Sequence, residues 1–259
     1  MERRADMDPT VIAVVVLACS YAAALLGTFL HDRLPERHLD EESRDVVKLV
    51  MGLVATMAAL VLGLLVASAN ASHDRQTSEL RELSADVILL DRTLALYGPE
   101  AQSVRSGLRD VIQQTHDAVW SPGGARPENL NSVGVQSAAR LKLMQVAALA
   151  PKNDTEQMLK ARAFDQVDGV TRARLQMFES RGGQISWPFL AVLIFWISIL
   201  FLGFGLLARF NATVAVTQFL GALSVAGAIF LILELNEPYR GLLQISDTPL
   251  RAAIAQLDR

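Results

Sequence analysis

The sequence has one cysteine, Cys19, so neither an intrachain disulfide nor a multi-cysteine metal centre can form. Aromatic residues are only 6% of the chain although hydrophobic residues are 51%, so the apolar content is aliphatic and Ala-rich. That composition suits lipid and helix–helix contact better than a β-sandwich core. Basic residues are not in excess: a net charge of −3 argues against a nucleic-acid partner held by bulk positive charge. Neither a phosphate-cradling glycine loop nor a dinucleotide fingerprint occurs. The four histidines, His31, His38, His73 and His116, lack paired-ligand spacing and read as surface residues rather than metal ligands. The expectation is a protein that is not an enzyme and carries no cofactor or metal.

Charge is missing where it matters most. Four blocks, Pro9–Leu30, Leu49–Ala71, Ile185–Ala208 and Val214–Leu233, contain no Asp, Glu, Lys or Arg. Each holds about 20 to 24 residues, and at ~1.5 Å per residue such a helix covers the ~30 Å hydrocarbon layer. Backbone polar groups in lipid must be satisfied within the segment, so helices are the natural form. The first block is longer than a signal-peptide core and lacks a clear cleavage pattern, which reads as a retained span. The expected fold is an all-α membrane protein with four transmembrane helices and a cytosolic helical bundle inserted between spans two and three. Its parts are a first hairpin over 9–71, the bundle over 72–184, a second hairpin over 185–235 and an amphipathic tail over 236–259.

Arginine and lysine near the span ends divide nine to five. The larger group includes Arg75, Arg81, Arg172 and Arg174, and the smaller includes Arg33, Lys48 and Arg209. By the positive-inside rule this predicts an inner-membrane protein with both termini and the bundle in the cytoplasm.

The bundle has its own signals. No proline or glycine interrupts Leu64 to Tyr97, so span two continues as one long helix. Its later part spaces Leu80, Leu83, Val87, Leu90, Leu94 and Tyr97 as a heptad seam, and Gly98-Pro99 ends it. A second helix carries Val104, Leu108, Val111, Ile112 and Val119 on one face, and a third is expected near Val133 to Leu149. A fourth starts at Asn153 with Glu156 in capping-box spacing, and Phe164, Val167, Thr171, Leu175 and Phe178 mark its expected buried side. At the end of the chain Leu250, Ile254 and Leu257 share one face of a short helix, which could lie on the membrane or pack on the bundle.

Span two holds the candidate site. Ala55, Ala59, Gly63, Ala67 and Ala71 recur every four residues as a small-residue stripe. Such a stripe lets helices approach closely in lipid, or lines a narrow pore when several copies surround an axis. The uncharged spans disfavour a proton relay or charge-coupled transporter, whereas a channel with an apolar constriction needs no intramembrane charge. Lys48 at one end of span two, and Glu234 and Glu237 at the end of span four, are candidate pore-mouth charges. A lysine ring would favour anions and a glutamate ring cations.

Gly52 to Ala67, the run Leu89-Leu90-Asp91-Arg92 with Leu94, Tyr97, Gly98 and Pro99, and the tail residues Pro238, Gly241, Ile245, Ser246, Pro249 and Leu250 together resemble the bacterial bestrophin-like family of membrane proteins. The likeness extends over nearly the whole chain. Bestrophins are pentameric anion channels with four spans per subunit and a cytosolic helical region, so the resemblance implies an oligomeric channel with span two along the pore. Two features depart from the family. Gly52 to Ala71 contains no Phe where bestrophins carry an aromatic constriction, and the acidic calcium clasp of the animal members has no match, so calcium gating is not implied. The function expected is an oligomeric ion channel, with inorganic ions and the lipid bilayer as partners. The alternative is a non-conducting scaffold or sensor whose cytosolic helices bind a partner.

Overall fold

The computed structural model describes residues 8–33, 41–120, 145–179, 187–237, 239 and 241–257. Among these there is no strand, and seven α-helices follow one another: α1 (Pro9–Arg33), α2 (Glu41–Tyr97), α3 (Gln102–Trp120), α4 (Asp154–Glu179), α5 (Trp187–Leu207), α6 (Ala212–Leu235) and α7 (Thr248–Leu257). Most of the expected third bundle helix falls outside the described residues, with only 145–147 helical within them. The chain divides into two compact units, residues 1–71 with 184–237 and residues 72–183 with 238–259, the first division falling inside α2.

Local chemistry explains the helix ends. Asp8 caps α1 by accepting from the Thr10 amide at 2.9 Å, with Pro9 at the first helical position. Asn211 caps α6 in the same way through Val214 N at 2.8 Å. Asn153 accepts from Glu156 N at 2.8 Å and donates to its carboxylate at 2.9 Å, which starts α4. The 57-residue α2 stops at Gly98, whose φ of 115° is a conformation open to glycine but not to other residues, and Pro99 begins a 3-10 turn.

In the first unit α1, the apolar part of α2, α5 and α6 are each long and apolar enough to cross a membrane. Their side chains share one core that includes Val16, Ala24, Met51, Leu193, Ala222 and Ile229. Glycine sets how closely α1 and α5 approach. A Cβ built on Gly27 would overlap the Leu202 carbonyl and stand 2.9 Å from the Leu206 nitrogen. One built on Gly205 would overlap the Ala24 carbonyl, so the two glycines open the same contact from both sides. Close approach of this kind holds helices together in lipid, where burial of apolar surface supplies no drive. His31 Nδ1 lies 2.8 Å from the Leu206 carbonyl and ties the ends of the two helices. Gly203 leaves the space that the Met51 sulfur of α2 occupies.

The second unit is built on the seam of α2. Leu80, Leu83, Val87, Leu90, Leu94 and Tyr97 are all buried, together with Val104, Leu108 and Ile112 of α3. Asp91 sits beside this seam and receives a bidentate pair from Arg105 at 2.6 and 3.0 Å, with both side chains largely buried. Removing either partner leaves a buried charge uncompensated, a loss of about 3–5 kcal/mol. The buried face of α4 is Ala163, Val167, Val170 and Ala173; of the residues expected there, Val167 is buried and Thr171 half-buried, Phe164 and Leu175 are exposed, and the Phe178 side chain lies outside the described residues. The helix is thus turned by about 100°, one residue, from the face its bulky residues suggest. Small side chains let α4 sit close to its neighbours where Phe would hold it off. The tail helix α7 buries Leu250 and Ala253 in this same core and packs on α3.

Candidate functional site

The apolar part of α2 is less buried than any other candidate span, with 11% of its most apolar window inside the protein against 28–39% for the others. Met51 and Ala58 are buried against the first unit's core, flanked by the partly buried Val54, Ala55, Val61, Leu62 and Leu65. At ~100° per residue these residues occupy one side of the helix. The exposed remainder splits into two kinds of surface. Gly52, Thr56, Ala59, Gly63 and Ala67 are exposed and fall within an arc about 80° wide. Beside it lie Leu49, Leu53, Leu60 and Leu64, between 63% and 75% exposed.

The glycines of the small arc have no close neighbour among the described residues. A Cβ added to Gly52 or Gly63 would meet nothing within 4 Å. Glycine in a helix interior costs about 1 kcal/mol relative to alanine, and no neighbour among the described residues accounts for that cost. The Thr56 hydroxyl donates to the Gly52 carbonyl at 2.8 Å, so the arc's one hydroxyl is satisfied within the helix.

The residues singled out by sequence do not all share this arc. Ala59, Gly63 and Ala67 lie on it, while Ala55 turns toward its own protomer's core. A four-residue step overshoots the 3.6-residue turn by about 40°, so a strict four-residue stripe wanders around the helix. Gly52 and Thr56 take the place of Ala55, and projection of the sequence on the true helical period would have found them. Lys48 is exposed near the same arc and pairs with Asp45 at 2.9 Å, both side chains more than 60% exposed. Glu234 is only 4% exposed, and Glu237 is exposed. Among the described residues no three His, Cys, Asp or Glu side chains gather as a metal site.

The model of the Bestrophin-like domain family matches residues 18–250. The chain belongs to the bestrophin-like family. No curated protein matches it. Two crystal structures of a bacterial bestrophin homologue from Klebsiella pneumoniae share the fold of this bestrophin-like chain. One, of a tyrosine-to-alanine variant, has a TM-score of 0.70 at 11% identity, covering 94% of this chain and 97% of that one. The other, of an isoleucine-to-threonine variant, has a TM-score of 0.57 at 14% identity with the same coverage.

Elsewhere in this bestrophin-like chain the histidines are less superficial than their scatter suggests, His38 lying outside the described residues. His31 joins α1 to α5, as above. His73 Nε2 lies 3.3 Å from the Leu243 carbonyl, beside a groove of about 300 Å³ lined by Thr77 and Arg81 of α2 and by Gln244, Ser246 and Pro249. The His116 side chain is 13% exposed and lies between two carboxylates. Hydrogen bonds from His116 and Gln113 hold the Asp117 carboxyl below the usual aspartate range.

Proposed function

We propose that this protein is an oligomeric ion channel of the inner membrane. Copies of the chain surround an axis with the Gly52–Thr56–Ala59–Gly63–Ala67 arc of α2 facing it. The bulky arc of Leu49, Leu53, Leu60 and Leu64 meets lipid or the neighbouring copy. The termini and the second unit lie in the cytoplasm. Inorganic ions pass along a narrow apolar path, with Lys48 at one mouth favouring anions and the exposed Glu237 near the other.

Family membership supports an ion channel in general. The observation that carries the finer reading is the pair of exposed glycines, Gly52 and Gly63, with open space where a Cβ would be. Residues kept small without a neighbour among the described residues fit a surface whose purpose is a space or a contact outside the protomer. The scaffold reading draws on the heptad seam, but that seam is consumed in the second unit's own core.

The test is electrical. Purified protein reconstituted in a planar bilayer gives currents that rise with protein and reverse nearer the chloride than the sodium equilibrium potential in a NaCl gradient. Silent membranes across varied ions and voltages, with incorporation verified, contradict the reading.

A further inference from the structure

The C-terminal segment from Tyr239 to Leu257 belongs to the core of the second unit, where Ile245, Leu250 and Ala253 are at most 4% exposed. Apolar burial of this kind holds the segment at any pH. Polar links join it to α3. The Trp120 indole donates to the Ile245 carbonyl at 3.1 Å. His116 Nε2 lies 3.0 Å from Oδ2 of Asp247, the residue preceding α7. The other imidazole nitrogen, Nδ1, lies 3.0 Å from Oδ1 of Asp117 on α3 itself. The ring stacks on Trp120 with centroids 5.5 Å apart, and Trp120 meets Tyr239 edge-on at the same distance.

We propose that His116 is a proton-operated latch that fastens the C-terminal segment to α3. A neutral imidazole has one N–H and one lone pair, so it can donate to only one of the two carboxylates. The imidazolium donates from both nitrogens, matching Asp117 and Asp247 at once, and its hydrogen bonds to carboxylate are charge-assisted. Arg251 also stands at the ring. Its Nε is 2.6 Å from Asp247 Oδ2, but both residues lie on the segment, so that pair does not bridge to α3. Towards His116 Nε2 the same Nε stands at 3.5 Å, a long contact that replaces the latch poorly when the ring is neutral. Gln113, from α3, only supports Asp117 at 3.0 Å.

Histidine changes charge between about pH 5 and 8, above the ordinary range of aspartate carboxylates. The latch is closed while the ring is an imidazolium and loosens once the proton has left it at higher pH. Loosening favours local opening of the segment rather than global unfolding, because its apolar anchors remain.

Hydrogen–deuterium exchange of the full-length protein in detergent or nanodiscs reads it, followed on peptides covering 245–257 and corrected for intrinsic exchange chemistry. Protection of α7 is expected to be about fivefold greater at pH 5.5 than at pH 8. In His116→Gln it drops to the high-pH level and no longer varies with pH. Asp117→Asn leaves the Asp247 link and reduces the pH dependence. A pH-independent α7 in the unmodified protein overturns the proposal without any variant, and so does an unchanged pH profile in a folded His116→Gln protein.

Discussion

Tryptophan at Gly63 reduces the single-channel current at least tenfold, while the protein still assembles and inserts. The expectation rests on space. Gly63 has nothing within 4 Å of a built Cβ, so a larger side chain starts there without overlap and the fold tolerates it. If copies of α2 surround an axis with this arc inward, one indole per subunit fills the path of the ions and excludes water from it. Ala59→Trp has the same effect because Ala59 is on the same exposed arc. The contrast is Leu60→Trp, on the bulky arc at 75% exposure, which leaves the current largely intact. Planar-bilayer recordings of the three variants at matched incorporation check the pattern. Equal currents from Gly63→Trp and the unmodified protein contradict an inward-facing arc.

Charge reversal at Lys48 changes which ions pass. Lys48 and Asp45 form an exposed pair one helical turn apart, so each partly cancels the other's field. Lys48→Glu removes the basic partner of that pair and leaves an acidic mouth in every subunit. Unit charges about 4 Å from an ion act with ~1 kcal/mol each in water, and several subunits act together. A shift of the chloride-to-sodium permeability ratio by about tenfold toward sodium is expected, visible as a move of the reversal potential in a NaCl gradient. Asp45→Asn moves it the other way. Because both residues are exposed, the shift shrinks as salt rises and the Debye length falls from ~10 Å at 0.1 M to ~3 Å at 1 M. A reversal potential that ignores both substitutions removes Lys48 from the pore mouth.

Much of the architecture was legible because its causes are local. An uncharged run long enough for the bilayer is a property of the run alone, and the four candidate spans of the structure overlap the four blocks read from sequence. Helix ends were equally legible where Gly98-Pro99 and Asn153 with Glu156 stand. The seam of Leu80 to Tyr97 was legible because its spacing repeats. Faces chosen by size alone were not. On α4 the bulky Phe164 and Leu175 drew attention from Ala163 and Ala173, since packing rewards closeness as well as hydrophobicity. On α2 a four-residue count placed Ala55 with Ala59 although the helix turns every 3.6 residues. Long-range partners left no trace at all. Gly27 and Gly205, or His116 and Asp247, lie more than a hundred positions apart, and only the fold brings them together.

The most direct measurement is a map of the protein in nanodiscs with its symmetry determined. The account predicts a closed ring of copies with α2 innermost, Gly52, Thr56 and Gly63 facing a continuous axial opening, and Leu53 and Leu60 turned away from it. A protein that is monomeric in the bilayer, or a ring whose axis is lined by α1, α5 or α6, contradicts it.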